Sequence, residues 1–139
     1  MKKYKFTGVV KDNLKQIVAT KDFGSAKTSD IGGWLEGEHN LSHEGDCWVS
    51  GGARVSGSAW VSGSAWVSGG AWVFGSARVF GSARVFDNVQ VSGSAWVSGR
   101  ARVSGNTVLI GPDDDLSVVP PEIMIQVLTG GFDLRRSNI

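Results

Sequence analysis

A period of six residues constrains this chain more than any other feature of its sequence. Eleven aliphatic residues follow one another at this interval without an insertion: Val49, Val55, Val61, Val67, Val73, Val79, Val85, Val91, Val97, Val103 and Leu109. A small residue, most often alanine, usually stands two positions before each of them. A glycine stands two positions after each, except where Asp87 replaces it. So regular a series excludes chance.

The period predicts β-structure. At 3.6 residues per turn a helix would scatter the valines around its axis. Within each unit the small and the aliphatic residue alternate with period two, as in a strand, and the glycine that follows permits a bend. We therefore predict an all-β, three-sided parallel β-helix of about four coils, stacked about 4.8 Å apart around inward valines. A silk-like cross-β fibre is the alternative that this composition allows.

A coil of three units sorts the outward residues onto three faces. The residues before the valines form three columns: Trp48, Trp66, Arg84 and Arg102 on the first face, Arg54, Trp72, Gln90 and Val108 on the second, and Trp60, Arg78 and Trp96 on the third. The residues after the valines are mostly serine, but one coil carries a phenylalanine on each face, at Phe74, Phe80 and Phe86. The third column suits stacking of a guanidinium on indole rings.

Three interpretations of these aromatic residues stay open. Flat side chains at strand spacing can stabilise the outside of a thin solenoid. Aromatic surface of this extent also exceeds what a soluble monomer normally exposes, which indicates an interface. A platform that stacks sugars or bases is the third interpretation. The candidate interface residues are Trp48, Trp60, Trp66, Trp72, Trp96, Phe74, Phe80, Phe86, Arg78 and Arg84.

The N-terminal segment lacks the repeat. Its stretches KYKFTGVV and KQIVATKDF predict a β-hairpin with a polar turn. A motif then leads into the repeats through Lys21, Asp22, Phe23, Gly24, Asp30, Gly32, Gly33, Trp34, Asn40, Leu41, Ser42, Gly45, Asp46, Cys47 and Trp48. Over roughly residues 19–111 this pattern resembles a group of bacterial and prophage-encoded hexapeptide-repeat proteins that includes YdcK-like proteins named as transferases.

That resemblance implies a left-handed parallel β-helix, a bacterial or prophage setting and a homo-oligomer, with a trimer favoured. It implies no particular activity. We divide the chain into an N-terminal cap over residues 1–44, a β-helix over 45–111 and a C-terminal cap over 112–139, folding as one unit. In the last segment, PPEIMIQVL before Gly130 and Gly131 predicts a short helix, with a strand as the alternative.

Candidate chemistry is sparse. Hexapeptide-repeat acyltransferases use a histidine as general base, and here only His39 and His43 exist, both before the repeats. His43 is the runner-up catalytic residue, although a local capping role is favoured. The acidic run Asp113–Asp115 is expected to be a solvated loop and not a metal site. Cys47 occupies an inward position and is expected to be inert packing.

Composition leaves the partner unspecified. Lys and Arg number 14 and Asp and Glu 13, so no global field attracts nucleic acid or an anionic membrane. One cysteine, no apolar leader and no long apolar run fit a cytoplasmic protein of the bacterial host. We expect a non-catalytic interaction protein of phage or prophage origin, without cofactors, that self-associates through its aromatic faces and presents a rigid surface to a host protein. The alternatives are a minimal acyltransferase with an inter-subunit site and a Trp-ladder ligand-binding module.

Overall fold

The computed structural model describes residues 2–106 and 108–110 of the 139-residue chain. Within them the chain is all-β apart from a short 3-10 turn at Glu38–Asn40. The first three strands are longer than most of those that follow. In chain order the strands are β1 (Tyr4–Lys11), β2 (Leu14–Ala19), β3 (Ile31–Leu35), β4 (Trp48–Val49), β5 (Arg54–Val55), β6 (Trp60–Val61), β7 (Trp66–Val67), β8 (Trp72–Val73), β9 (Arg78–Val79), β10 (Arg84–Val85), β11 (Gln90–Ser92), β12 (Trp96–Val97), β13 (Arg102–Val103) and β14 (Val108–Ile110).

The repeat strands stack into three sheets, one for each predicted face. The first face is the sheet β4-β7-β10-β13, the second contains β5-β8-β11-β14, and the third is β6-β9-β12. Neighbouring strands are parallel and offset by 18 residues, as in the pair Val61 and Val79. The structure is a β-solenoid of about four turns, so this part of the predicted fold is confirmed.

The valine series forms the centre of the solenoid. All ten repeat valines and Leu109 are fully buried, and the alanines two positions earlier are buried beside them. An alanine-sized side chain fits where the chain turns a corner, and the stacked valines exclude water along the axis. Burial of one valine side chain stabilises a fold by about 1.5–3 kcal/mol, so the stack is the main stabilising element.

The corners explain the glycine series and its exception. In the described residues the corner glycines from Gly51 to Gly105 have a positive φ, for example 67° at Gly81, a region that residues with a Cβ adopt at a cost. Asp87 takes the same conformation, with φ 61°. Its carboxylate accepts a hydrogen bond from the Gly105 N–H of the next coil at 3.0 Å, which offsets part of that cost.

The N-terminal segment does more than cover the first coil. β1 and β2 form the predicted antiparallel hairpin, with a two-residue turn at Asp12 and Asn13, both at positive φ. β2 pairs with β3, and β3 runs parallel to β5, so the hairpin extends the second face to seven strands. The solenoid core therefore reaches back to Leu35, before the six-residue period begins in the sequence.

Two glycines let β3 approach the solenoid closely. A Cβ added to Gly33 would lie 2.6 Å from the Ala53 carbonyl oxygen, closer than real Cβ atoms come. One added to Gly32 would lie 2.7 Å from the Trp48 ring. The Gly-Gly pair of the N-terminal motif is thus a packing requirement.

Two buried polar side chains close the lower edges of the other two sheets. In the second coil the carbonyls of Gly63 and Ala65 accept hydrogen bonds from the coil below. The equivalent carbonyls of Gly45 and Cys47 have no such coil, and the Lys3 ammonium donates to them at 3.1 and 2.6 Å. On the third face the Asn40 carboxamide does the same for the carbonyls of Gly57 and Ala59.

These contacts explain how the exposed edge of a solenoid is protected from pairing with another chain. The predicted capping role of the N-terminal segment is confirmed, although a sheet extension and two buried side chains perform it. The predicted C-terminal cap, its helix or strand and the acidic run Asp113–Asp115 lie outside the described residues. No helix in the described part of the chain is long and apolar enough to cross a membrane.

Candidate functional site

The third face carries a mixed aromatic and cationic column. Trp60, Arg78 and Trp96 are register partners on β6, β9 and β12. The Arg78 guanidinium carbon lies 5.8 Å from the centroid of the Trp60 ring and 5.9 Å from that of Trp96. These distances fit a cation–π contact on each side of the guanidinium, as the sequence predicted. We call this set the Trp–Arg–Trp column.

The column is open to solvent. Trp60 is 42% exposed and Trp96 43%, the largest values among the tryptophans of the described residues. Phe80 packs its ring edge-on against Trp96 with centroids 5.6 Å apart, so the upper ring is held from the side as well. The surface is therefore exposed and also ordered by its own contacts.

The second face is less uniform. Trp72 is 38% exposed and stands in register between Arg54 and Gln90. Its ring packs against Phe74 at 4.6 Å between centroids, and its indole N–H donates to the Ser56 hydroxyl at 3.4 Å. Trp72 thus rests partly on its own coil, and this face offers one exposed indole where the third face offers two.

Trp48 does not belong to any exposed face. It was predicted to point outward on the first face, and it does pair with Trp66 there. The N-terminal segment covers it, however, so that only 2% of its surface is exposed. The Phe23 ring lies 5.2 Å away and the Tyr4 ring 6.4 Å away, centroid to centroid. The expectation that Trp48 is a surface residue is therefore wrong, because sequence spacing alone could not show this non-local cover.

The upper part of the first face forms a shallow groove of about 280 Å³. Trp66 and Phe86, both half-buried, line it together with Ser68. The exposed guanidinium-bearing residues Arg84 and Arg102 complete the lining. Arg84 stands between Trp66 and Arg102 in the column. We call this the arginine groove.

His43 is built into the N-terminal cap. Its ring stacks on Tyr4 with centroids 4.0 Å apart. Its Nδ1 accepts from the Lys3 backbone N–H at 3.2 Å, which places the proton of the neutral ring on Nε2. Nε2 in turn lies 2.9 Å from a Glu38 carboxylate oxygen. A general base needs a free nitrogen lone pair facing its substrate, and neither ring nitrogen of His43 offers one.

Glu38 contacts two side chains, Lys2 and His43, at the rim of the cap. Its carboxylate accepts from His43, and the Lys2 ammonium lies 3.0 Å away in an exposed ion pair. These contacts, the His43 hydrogen bond foremost and the Lys2 bond next, hold the pKa of the Glu38 carboxyl below its ordinary value. The contacts of Glu38 with His43 and Lys2 therefore hold the rim of the cap together.

Cys47 lies at the bottom of the core beside a buried ammonium. It is fully buried, and burial raises the pKa of its thiol. The Lys3 Nζ lies 3.3 Å from the sulfur, and burial lowers the pKa of this ammonium. A protonated, inaccessible thiol fits the packing role that its inward position predicts. Among the described residues no group of three or more His, Cys, Asp or Glu side chains could hold a metal ion.

Besides the cover over Trp48, sequence reasoning missed further features, among them the burial of Lys3 and the walls of the arginine groove. The buried position of Lys3 carries no local signal, because lysines near a chain end are ordinarily solvated. The pairing of Arg84 with Arg102 can be predicted from the 18-residue step. The partial burial of Trp66 and Phe86, which form the walls of the groove, cannot be predicted from it.

Together the three sheets and their outward columns define a three-sided β-solenoid protein. A family model described as YdcK Beta solenoid repeat matches residues 83–99. This match confirms, at the level of the repeat, the resemblance to YdcK-like proteins, and it falls on β10–β12, which contribute to all three faces. The comparison with curated proteins gave no match.

Proposed function

We propose that this chain is a non-catalytic interaction protein that self-associates through the Trp–Arg–Trp column and presents a rigid solenoid surface to a protein partner. The observation that carries the proposal is the exposure of Trp60 and Trp96 on either side of Arg78. Tryptophan and arginine are the residues most enriched at the energetic centres of protein interfaces.

Order within the column supports an interface. Arg78 contacts both indole rings and Phe80 supports Trp96, so few side-chain rotamers would be lost on association. Such preorganisation lowers the entropic cost of binding. The residues 45–111 contain only two acidic side chains, Asp46 and Asp87, and neither belongs to the column. An apolar surface with one central cation fits a protein interface better than a hydrogen-bonding sugar site.

The finer parts of the proposal follow from the resemblance. We propose a left-handed solenoid that assembles as a homotrimer with parallel axes, in the cytoplasm of a bacterial host and of phage or prophage origin. The engaged ring nitrogens of His43 support a non-catalytic role, and the buried thiol of Cys47 supports it too. In this proposal the partner that binds the solenoid surface is a protein of the bacterial host.

Size-exclusion chromatography with light scattering tests the proposal on three proteins: wild type, Trp60→Ser/Trp96→Ser and Trp72→Ser. We expect an oligomeric wild type, built from 14.7 kDa chains, a monomer for the double variant, and an oligomer for Trp72→Ser, which removes an exposed indole from another face. Circular dichroism verifies that both variants keep the fold. A double variant that is folded and as oligomeric as wild type would overturn the assignment of the interface.

A further inference from the structure

We propose that the arginine groove binds an acidic segment of a protein partner, with a carboxylate between Arg84 and Arg102 and an apolar side chain between Trp66 and Phe86. This inference rests on the proposed function and names the chemistry of the partner. It concerns a different face from the Trp–Arg–Trp column, so the two can fail independently.

The first argument is electrostatic. Arg84 and Arg102 are register partners on neighbouring strands, which lie about 4.8 Å apart in a sheet. Like charges directly opposite each other destabilise a sheet. Within the described residues neither guanidinium has a carboxylate within ion-pair distance. An anion bound between them would remove the repulsion and accept hydrogen bonds from both planar forks.

Comparison with the other faces makes this pair distinctive. On the third face the single cation, Arg78, stands between two indole rings. On the second face Arg54 stands in register between Trp34 and Trp72. Only on the first face do two arginines of the described repeats follow each other in one column, and the exposed Arg100 adds a third cation two residues before Arg102.

The second argument is shape. The groove of about 280 Å³ falls just below the ~300–1,000 Å³ of pockets that enclose a whole small-molecule ligand. It suits one or two inserted side chains. Half-buried Trp66 and Phe86 supply an apolar wall, and the arginines supply charge at its upper end. An acidic peptide that carries an aromatic residue matches both parts, whereas nucleic acid would need a longer track of phosphate contacts.

Fluorescence anisotropy with labelled pentapeptides tests the groove. The probes are Glu-Glu-Phe-Glu-Glu and its neutral counterpart Gln-Gln-Phe-Gln-Gln, at low and at physiological salt. We expect the acidic peptide to bind wild type at least tenfold more tightly than the neutral one, with affinity falling as salt rises. Arg84→Gln/Arg102→Gln should lose at least tenfold in affinity for the acidic peptide.

A matched control removes two cations elsewhere. Lys5→Gln/Lys11→Gln changes the net charge equally on β1, away from the groove, and should bind as wild type does. Trp66→Leu keeps both arginines and should weaken the phenylalanine peptide more than Glu-Glu-Ala-Glu-Glu. Circular dichroism establishes that each variant is folded.

Three results would overturn the inference: equal binding by the folded Arg84→Gln/Arg102→Gln variant, equal binding of the neutral peptide, or tighter binding of a single-stranded oligonucleotide than of the acidic peptide. The oligomeric state is measured in the same buffer. A monomeric wild type that still binds the acidic peptide would contradict the proposed self-association alone. An oligomeric wild type that does not bind the acidic peptide would contradict only the assignment of peptide binding to the arginine groove.

Discussion

At the residue scale, Lys3 shows how one side chain ends a solenoid. A repeat that stacks indefinitely must present unpaired carbonyls at its first coil, and two of them are satisfied by a single buried ammonium. The cost of burying this charge is visible in the lowered pKa of Lys3, whose main cause is desolvation. Its contacts with the Cys47 sulfur and the Phe23 ring offset part of that cost.

Replacing Lys3 tests this role. In Lys3→Met the carbonyls of Gly45 and Cys47 lose their donor, and each unsatisfied buried acceptor costs about 1–3 kcal/mol. Because the substitution also removes the cost of burying the charge, we expect the free energy of unfolding, measured by urea denaturation, to fall by about 1–3 kcal/mol in total. Lys2→Met, which removes an exposed lysine, is the control and should change stability little. Equal stability of the two variants would contradict the capping role.

Glu38 gives the cap a dependence on pH. Because its folded-state pKa lies below the ordinary value of 4.5, its contribution to stability is present above pH 4.5 and is lost as the pH falls through the lowered value. The carboxylate is half-exposed and its pairs are screened, so the contribution stays below ~1 kcal/mol. Melting temperatures of wild type and Glu38→Gln should differ near neutral pH and converge in acid. A difference that grows on acidification would contradict this linkage.

At the element scale, each described six-residue unit up to Gly105 contributes one inward valine, one residue, usually alanine, two positions before it, and one positive-φ residue. The sequence predicted all three roles and the 18-residue register, because they depend only on neighbours within a unit and on the closure of a coil. The six-residue period and its 18-residue multiple predict the solenoid, the three outward columns and the stacking of Arg78 between two tryptophans. Even the break at Asp87 preserves the corner, since aspartate adopts the same φ and bonds to the next coil.

A core valine tests the stack. Val79 is fully buried on β9, so Val79→Ala should lower the free energy of unfolding by about 1.5–3 kcal/mol through lost burial and a small cavity. Val9 lies half exposed on β1. Val9→Ala therefore deletes as many methyl groups, but from a side chain in contact with water, and should lower the free energy of unfolding far less. Chemical denaturation of both variants provides the comparison. A similar loss in the two would show that the valine stack is not the core.

At the scale of the whole molecule, the sequence was less informative. The cover over Trp48, the extension of the second face through β3 and the edge caps of Lys3 and Asn40 all arise from contacts between residues distant in sequence. No periodicity encodes such contacts, and the repeat pattern alone therefore predicts a surface position for Trp48. The exposed candidate surfaces lie on different faces: the Trp–Arg–Trp column on the third face and the arginine groove on the first.

Sedimentation equilibrium of the wild-type protein over a wide concentration range tests self-association, because association through the Trp–Arg–Trp column must raise the measured mass. We predict a mass at least twice the 14.7 kDa of one chain, with a trimer as the favoured species. A single species of 14.7 kDa at all concentrations would contradict it, and the exposed tryptophans would then serve only to stabilise the outside of the solenoid.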